Sequence, residues 1–135
     1  MRFGLLLSGI GWGISFLFTF VSWDSAADQL YLMGAGRIEY NPMLDYWLRM
    51  TSVAFGCIGI ASLLACWKTK YFEPLVILLA PFHLLVGIVL VHGALRNRLD
   101  RELHPSFGPD IVFCFVTALA IGLPCVVSRS NSENK

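Results

Sequence analysis

Charge is scarce in this 135-residue chain, at 14% Asp, Glu, Lys and Arg, where a soluble domain carries about 25%. Ten basic and nine acidic residues nearly cancel, so no global field steers the protein toward nucleic acid and no such partner is expected. Only three histidines occur; none sits in a His-x-x-x-His pair or beside a cysteine, so no metal centre is expected. Cys-x-x-Cys is missing, which excludes a thiol–disulfide oxidoreductase of the usual pattern. The four cysteines, Cys57, Cys66, Cys114 and Cys125, all fall inside apolar runs rather than loops, so a disulfide framework is excluded and they read as small buried hydrophobes. The first apolar run holds no acidic residue, unlike the small multidrug exchangers, whose first helix needs a membrane-embedded glutamate. The first loop holds no cysteine, unlike claudin-like junction proteins. Phosphate-cradling glycine loops and nucleophile elbows are missing too, and no cofactor is expected.

What remains is apolar. The chain is 56% hydrophobic with a mean hydropathy of +0.67, and its charges gather in short segments between long uncharged runs. Four runs, at about 3–23, 43–67, 75–95 and 111–127, approach or exceed the ~20 residues needed to cross ~30 Å of hydrocarbon. Backbone groups in lipid must be satisfied within the segment, and strand-like alternation is absent, so the runs are helices. The expected fold is an all-α polytopic membrane protein, a four-transmembrane-helix bundle forming one domain over 1–127, followed by a polar, disordered tail over 128–135.

The ends are punctuated accordingly. Asn41 before Pro42 reads as an N-cap and first helical position, while Trp23, Tyr46, Trp47 and Trp67 lie at belt level. Pro109 and Asp110 open the fourth helix. Ser25 with Asp28 resembles a capping box ahead of a short interfacial helix stopped by Gly34. A signal peptide cleaved near Ser25-Ala26-Ala27 is the alternative reading of the first run, but its apolar stretch exceeds the 7–15 residues usual for such segments.

Helical spacing sorts the residues by face. Small residues form a stripe on each helix: Gly4, Ser8, Gly11, Ser15, Thr19 and Ser22 on the first, and Ser52, Gly56, Gly59 and Ser62, leading to Cys66, on the second. The third offers Ala80, His83, Gly87, Val91 and Ala94, and the fourth Cys114, Ala118, Gly122 and Cys125. Such stripes let membrane helices approach closely, so they face inward. Gly9 and Gly13 form a GxxxG pair off the main stripe, suited to a second contact or a homodimer.

The same faces place the polar residues: Arg49 continues the second helix's stripe, His83 lies in the third's and Asp110 heads the fourth's, so all three are expected to face inward. Arg49 and Asp110 start helices from one membrane surface, and an Arg49–Asp110 ion pair would hold both charges at a bundle mouth, with Asp45 as an alternative partner one turn away. His92 ends the third helix at that level. Charged groups at membrane depth are costly and tend to be functional, so this mouth is a candidate binding site; the bland reading is that Arg49 snorkels and Asp110 caps a helix. His83 lies about 18 Å deep at 1.5 Å per residue, near Gly11 and Ser62, either as a satisfied core histidine or as a proton-handling group. His92, nine residues on, points the opposite way.

Orientation is evenly balanced under the positive-inside rule. Arg2, Lys68, Lys70, Arg129 and Lys135 lie on one side, and Arg37, Arg49, Arg96, Arg98 and Arg101 on the other. Placing both termini in the cytoplasm puts all three lysines inside and seven of nine carboxylates outside.

In order and texture the chain resembles the DoxX-like group of small bacterial four-helix membrane proteins. The likeness rests on a Gly-rich first helix, the stretch Leu44-Asp45-Tyr46-Trp47-Leu48-Arg49-Met50, then Gly56-Cys57-Ile58-Gly59, a Lys-containing turn, Gly93 closing the third helix and Asp110 opening the fourth. It implies architecture and a bacterial inner-membrane location more than an activity. The leading functional expectation is a non-enzymatic membrane protein that binds a lipophilic molecule or a membrane-protein partner. The alternatives are a lipid- or sterol-type isomerase, as in the emopamil-binding type, which would need His83 with Asp110 or Arg49, and an accessory subunit of a quinone-linked oxidoreductase.

Overall fold

A computed structural model describes residues 1–100 and 102–133; Arg101 and Lys135, counted above among the cations, lie outside the described residues. Five helices follow one another, and no strand occurs among the described residues: α1 Arg2–Ile14, α2 Trp23–Leu32, α3 Pro42–Trp67, α4 Glu73–Asn97 and α5 Phe107–Glu133. A 3₁₀ turn over Ser15–Thr19 extends α1. Among the described residues four segments are long and apolar enough to span a membrane: Arg2–Thr19, Pro42–Trp67, Glu73–Asn97 and Phe107–Val127. The protein is an all-α integral membrane bundle.

The first span is shorter than the sequence predicts. It tightens to 3₁₀ geometry at Ser15, and the chain restarts at Trp23 as α2, with Ser22 as N-cap, its hydroxyl accepting from the Ser25 amide at 3.3 Å. Ser22, rather than Ser25, therefore caps the short helix. Gly34 stops it as expected: φ is +100°, and the amides of Gly34 and Ala35 return to the carbonyls of Tyr31 and Leu30. A Cβ there would sit 2.6 Å from His104 Cα and Leu103 O, so only glycine lets the loop before α3 and the loop before α5 close up. Ser106 Oγ adds a bond to the Met33 carbonyl at 3.0 Å. Asn41 caps α3 as predicted, its Oδ1 accepting from Met43 and Leu44 amides at 2.9 and 3.2 Å, with Pro42 at the first turn.

Packing is not a ring of sequence neighbours. α1 lies between α3 and α5, α4 packs on α5, and α3 barely touches α4. Small residues set these approaches. A Cβ on Gly59 would strike the Gly13 backbone, one on Gly9 would meet Leu63, and one on Gly4 would meet Ala120 and Ile121 at 2.8–2.9 Å. The stripe of α3 is buried as predicted, at Ser52, Gly56, Gly59 and Ser62. On α1 the buried face is Gly4, Leu5, Ser8 and Gly9, rotated from the predicted stripe so that Gly9 and Gly13 meet Gly59 of the same chain. Of the two roles open to that pair, the structure shows the contact within the bundle. Cys57 is a correction: it is exposed on the outer face of α3, whereas Cys114 is buried and Cys66 and Cys125 are half-buried. Outward positions such as Leu78, Leu85, Ile88, Leu119 and Leu123 are exposed, as helices bathed in lipid require.

Candidate functional site

The predicted mouth is only partly assembled. Arg49 and Asp45 pair on one face of α3, Arg49 Nη2 and Nε donating to Asp45 Oδ1 at 2.9 and 3.0 Å. The guanidinium also donates through Nη1 to the carbonyls of Phe18 and Val21. The Phe18 carbonyl belongs to the 3₁₀ end of the first span and that of Val21 to the link just after it, where a terminating helix leaves acceptors without donors. Arg49 therefore caps the first span from a neighbouring helix, and its partner is Asp45. The expected Arg49–Asp110 pair does not form; Asp110 stands exposed in the first turn of α5, where its charge complements the helix dipole. His92 is exposed on α4 and joins no hydrogen bond or ion pair among the described residues. Of the four mouth residues, the structure brings together two.

His83 is fully buried on α4, and its partners differ from those predicted. Trp12 Nε1 donates to His83 Nε2 at 2.8 Å, and Nδ1 lies 2.7 Å from the Leu79 carbonyl. An indole N–H can only donate and a carbonyl can only accept. Nδ1 must therefore carry the proton and Nε2 the lone pair, which makes His83 neutral with both nitrogens engaged. Ser62, expected beside it, instead donates to Ile58 O at 2.9 Å and lies 2.9 Å from Ser8 Oγ. With its one proton committed to Ile58, Ser62 accepts from Ser8. Thr117 Oγ1, also buried, has no hydrogen-bond partner among the described residues.

Trp12 is the centre of this layer, with ring centroids 4.8 Å from Phe55 of α3, 6.1 Å from Phe82 and 5.9 Å from His83 of α4, and 5.8 Å from Phe113 of α5. One side chain of α1 thus touches all three other spans. Sequence reasoning passed over it, although a tryptophan far from either aromatic belt carries a signal: its N–H needs a partner at depth.

A separate cavity lies elsewhere in the bundle. A groove of about 690 Å³ runs between α4 and α5 on the side of the membrane where α1 begins. Val76, Ile77, Ala80, Pro81, Gly122 and Val126 form its wall, and Thr69, Lys70 and Glu73 its rim, with Met1 and Cys125 beside them. Ala80 and Gly122 stand next to each other in that wall, where a Cβ on Gly122 would lie in ordinary contact, 3.4 Å from that of Ala80. Pro81 has no N–H to offer the Ile77 carbonyl, so the helical ladder is interrupted within the groove wall. Cys125 Sγ packs 3.5 Å from Met1 Sδ, and Cys66 Sγ donates to Arg2 O at 3.5 Å, which ties the chain start to this end of the bundle. The rim residues were not singled out from sequence, because nothing in the spacing of α4 or α5 alone says that the two face each other.

No three His, Cys, Asp or Glu side chains converge on one point among the described residues. Comparison of the chain with family models, with curated proteins and with solved structures gives no match.

Proposed function

We propose that this protein is a small membrane-embedded binding protein whose ligand is a lipophilic molecule lodged in the groove between α4 and α5. One observation carries the reading: this groove, of about 690 Å³, is apolar along its wall, polar only at its rim, and within the size range of small-molecule sites, about 300–1,000 Å³. A groove open to lipid on one side and lined at one end by Lys70 and Glu73 suits an amphiphile lying parallel to the helices. With both termini in the cytoplasm of a bacterial inner membrane, the rim faces the cytoplasmic leaflet. The DoxX-like resemblance fits this reading without adding a reaction to it.

Less supports an isomerase. Such chemistry asks for an acid–base pair, yet His83 has both nitrogens engaged, and neither Arg49 nor Asp110 bonds to it. A quinone-linked partnership draws on no residue of its own, although a quinone is one lipophilic molecule that the groove would accept.

The test is native mass spectrometry of the full chain extracted in mild detergent. The wild-type protein is expected to retain one lipid-sized molecule. Gly122→Leu combined with Ala80→Leu fills the groove and is expected to abolish retention while leaving the helical circular dichroism unchanged. Equal retention by the filled variant, or none by the wild type, refutes the proposal.

A further inference from the structure

The rim of the groove carries two opposite charges that do not neutralise each other. Lys70 closes the turn after α3 and Glu73 opens α4, three residues apart, and both line the same cavity. Such a pair would ordinarily meet, but among the described residues the only ion pair is Arg49–Asp45. Thr69, half-buried, completes the rim, and its hydroxyl donates inward to the Cys66 carbonyl at 3.4 Å, so its lone pairs are left for a donor from outside. One anion-seeking group and two groups that accept hydrogen bonds therefore stand side by side at the mouth of an apolar slot.

The slot itself has the length of one leaflet. From Glu73 to Pro81 is eight residues along α4, about 12 Å at 1.5 Å per residue, against about 15 Å for half of a 30 Å hydrocarbon core. It is thus deep enough for most of one acyl chain with the headgroup still at the interface.

We infer that the ligand is a zwitterionic phospholipid, its phosphate on Lys70, its ammonium on Glu73 and Thr69, and one acyl chain along the wall that Val76, Ala80 and Gly122 line. This rests on the reading of the groove as a lipophilic site and deepens it by naming the headgroup. Opposite charges on one rim match a headgroup with the same dipolar order. A purely anionic lipid would be repelled by Glu73, and an uncharged one would leave both rim groups facing each other without gain.

The test uses the full chain in vesicles of equal parts phosphatidylethanolamine and phosphatidylglycerol, extracted in mild detergent and weighed with its retained lipid. The wild type is expected to hold one phosphatidylethanolamine at least fivefold over phosphatidylglycerol. Glu73→Gln should shift retention toward phosphatidylglycerol, and Lys70→Gln should weaken retention of both. The exchange Lys70→Glu with Glu73→Lys, which keeps both charges on the rim, should restore selectivity for the zwitterion and so shows that any loss is not a folding defect. One lipid retained without headgroup preference, or the same preference in Glu73→Gln, overturns this inference and leaves the groove reading standing. No lipid retained by the wild type overturns both. A ladder of several lipids with no saturation at one, the pattern of a bulk lipid shell, also overturns both.

Discussion

Trp12 on α1 and His83 on α4 are joined ring to ring by a 2.8 Å hydrogen bond across 71 residues of sequence. That bond fixes the histidine tautomer and ties the first span to the third in the middle of the membrane. Replacing the donor leaves His83 Nε2 buried without a partner, which is the expensive outcome for a polar atom. Trp12→Phe is therefore expected to destabilise the bundle by about 1–3 kcal/mol. His83→Phe should cost less than the sum implies when combined with it, because the orphaned nitrogen disappears. A double-mutant cycle on unfolding in mixed detergent micelles checks this, and strict additivity of the two changes would contradict it.

Arg49 supplies a second long-range tie, to the carbonyls of Phe18 and Val21 as well as to Asp45. Its side chain and that of Asp45 are 26% and 27% exposed, so part of the charge attraction is screened, and the geometry of the fork matters more than the charge. Arg49→Lys should therefore lose most of what Arg49→Ala loses, about 1–2 kcal/mol, with the exchange protection of residues 15–22 falling in both variants. Full retention of stability by Arg49→Lys would show that a point charge suffices.

The α1–α3 contact makes an asymmetric prediction about two glycines. A side chain on Gly59 would strike the Gly13 backbone, whereas a Cβ on Gly13 meets nothing within 4 Å. Gly59→Ala should lower the unfolding midpoint clearly, and Gly13→Ala should leave stability within about 0.5 kcal/mol or raise it slightly. If both substitutions were neutral, or if Gly13→Ala dissociated a dimer, the GxxxG pair would belong to a contact between chains after all.

The sequence disclosed the helices better than their neighbours. Hydrophobic run lengths located the four spans to within a few residues at most ends, and the stripe Ser52, Gly56, Gly59 and Ser62 pointed correctly inward, because both follow from the lipid solvent and the helical period alone. The early end of the first span was not legible. No proline or glycine marks Ser15–Thr19, and the carbonyls freed where the span ends are met by Arg49, a residue 31 and 28 positions away on another helix. The partners of His83 were missed for a related reason: depth arithmetic put Ser62 at its level, but α4 packs on α5 and barely on α3. The groove depends on that same choice of neighbour. Lys70 and Glu73 read as an ordinary loop charge and a helix start until α5 closes the other wall.

The claim that the groove between α4 and α5 is the ligand site is tested most directly by light-induced cross-linking with a phosphatidylethanolamine carrying a photoreactive group on one acyl chain. Peptide mapping is expected to place the adducts on α4 between Val76 and Pro81 and on α5 between Gly122 and Val126, with the signal lost when Ala80 and Gly122 are both leucine. Adducts spread evenly over outward positions such as Leu85, Ile88 and Leu119, and unchanged in the leucine variant, would contradict it.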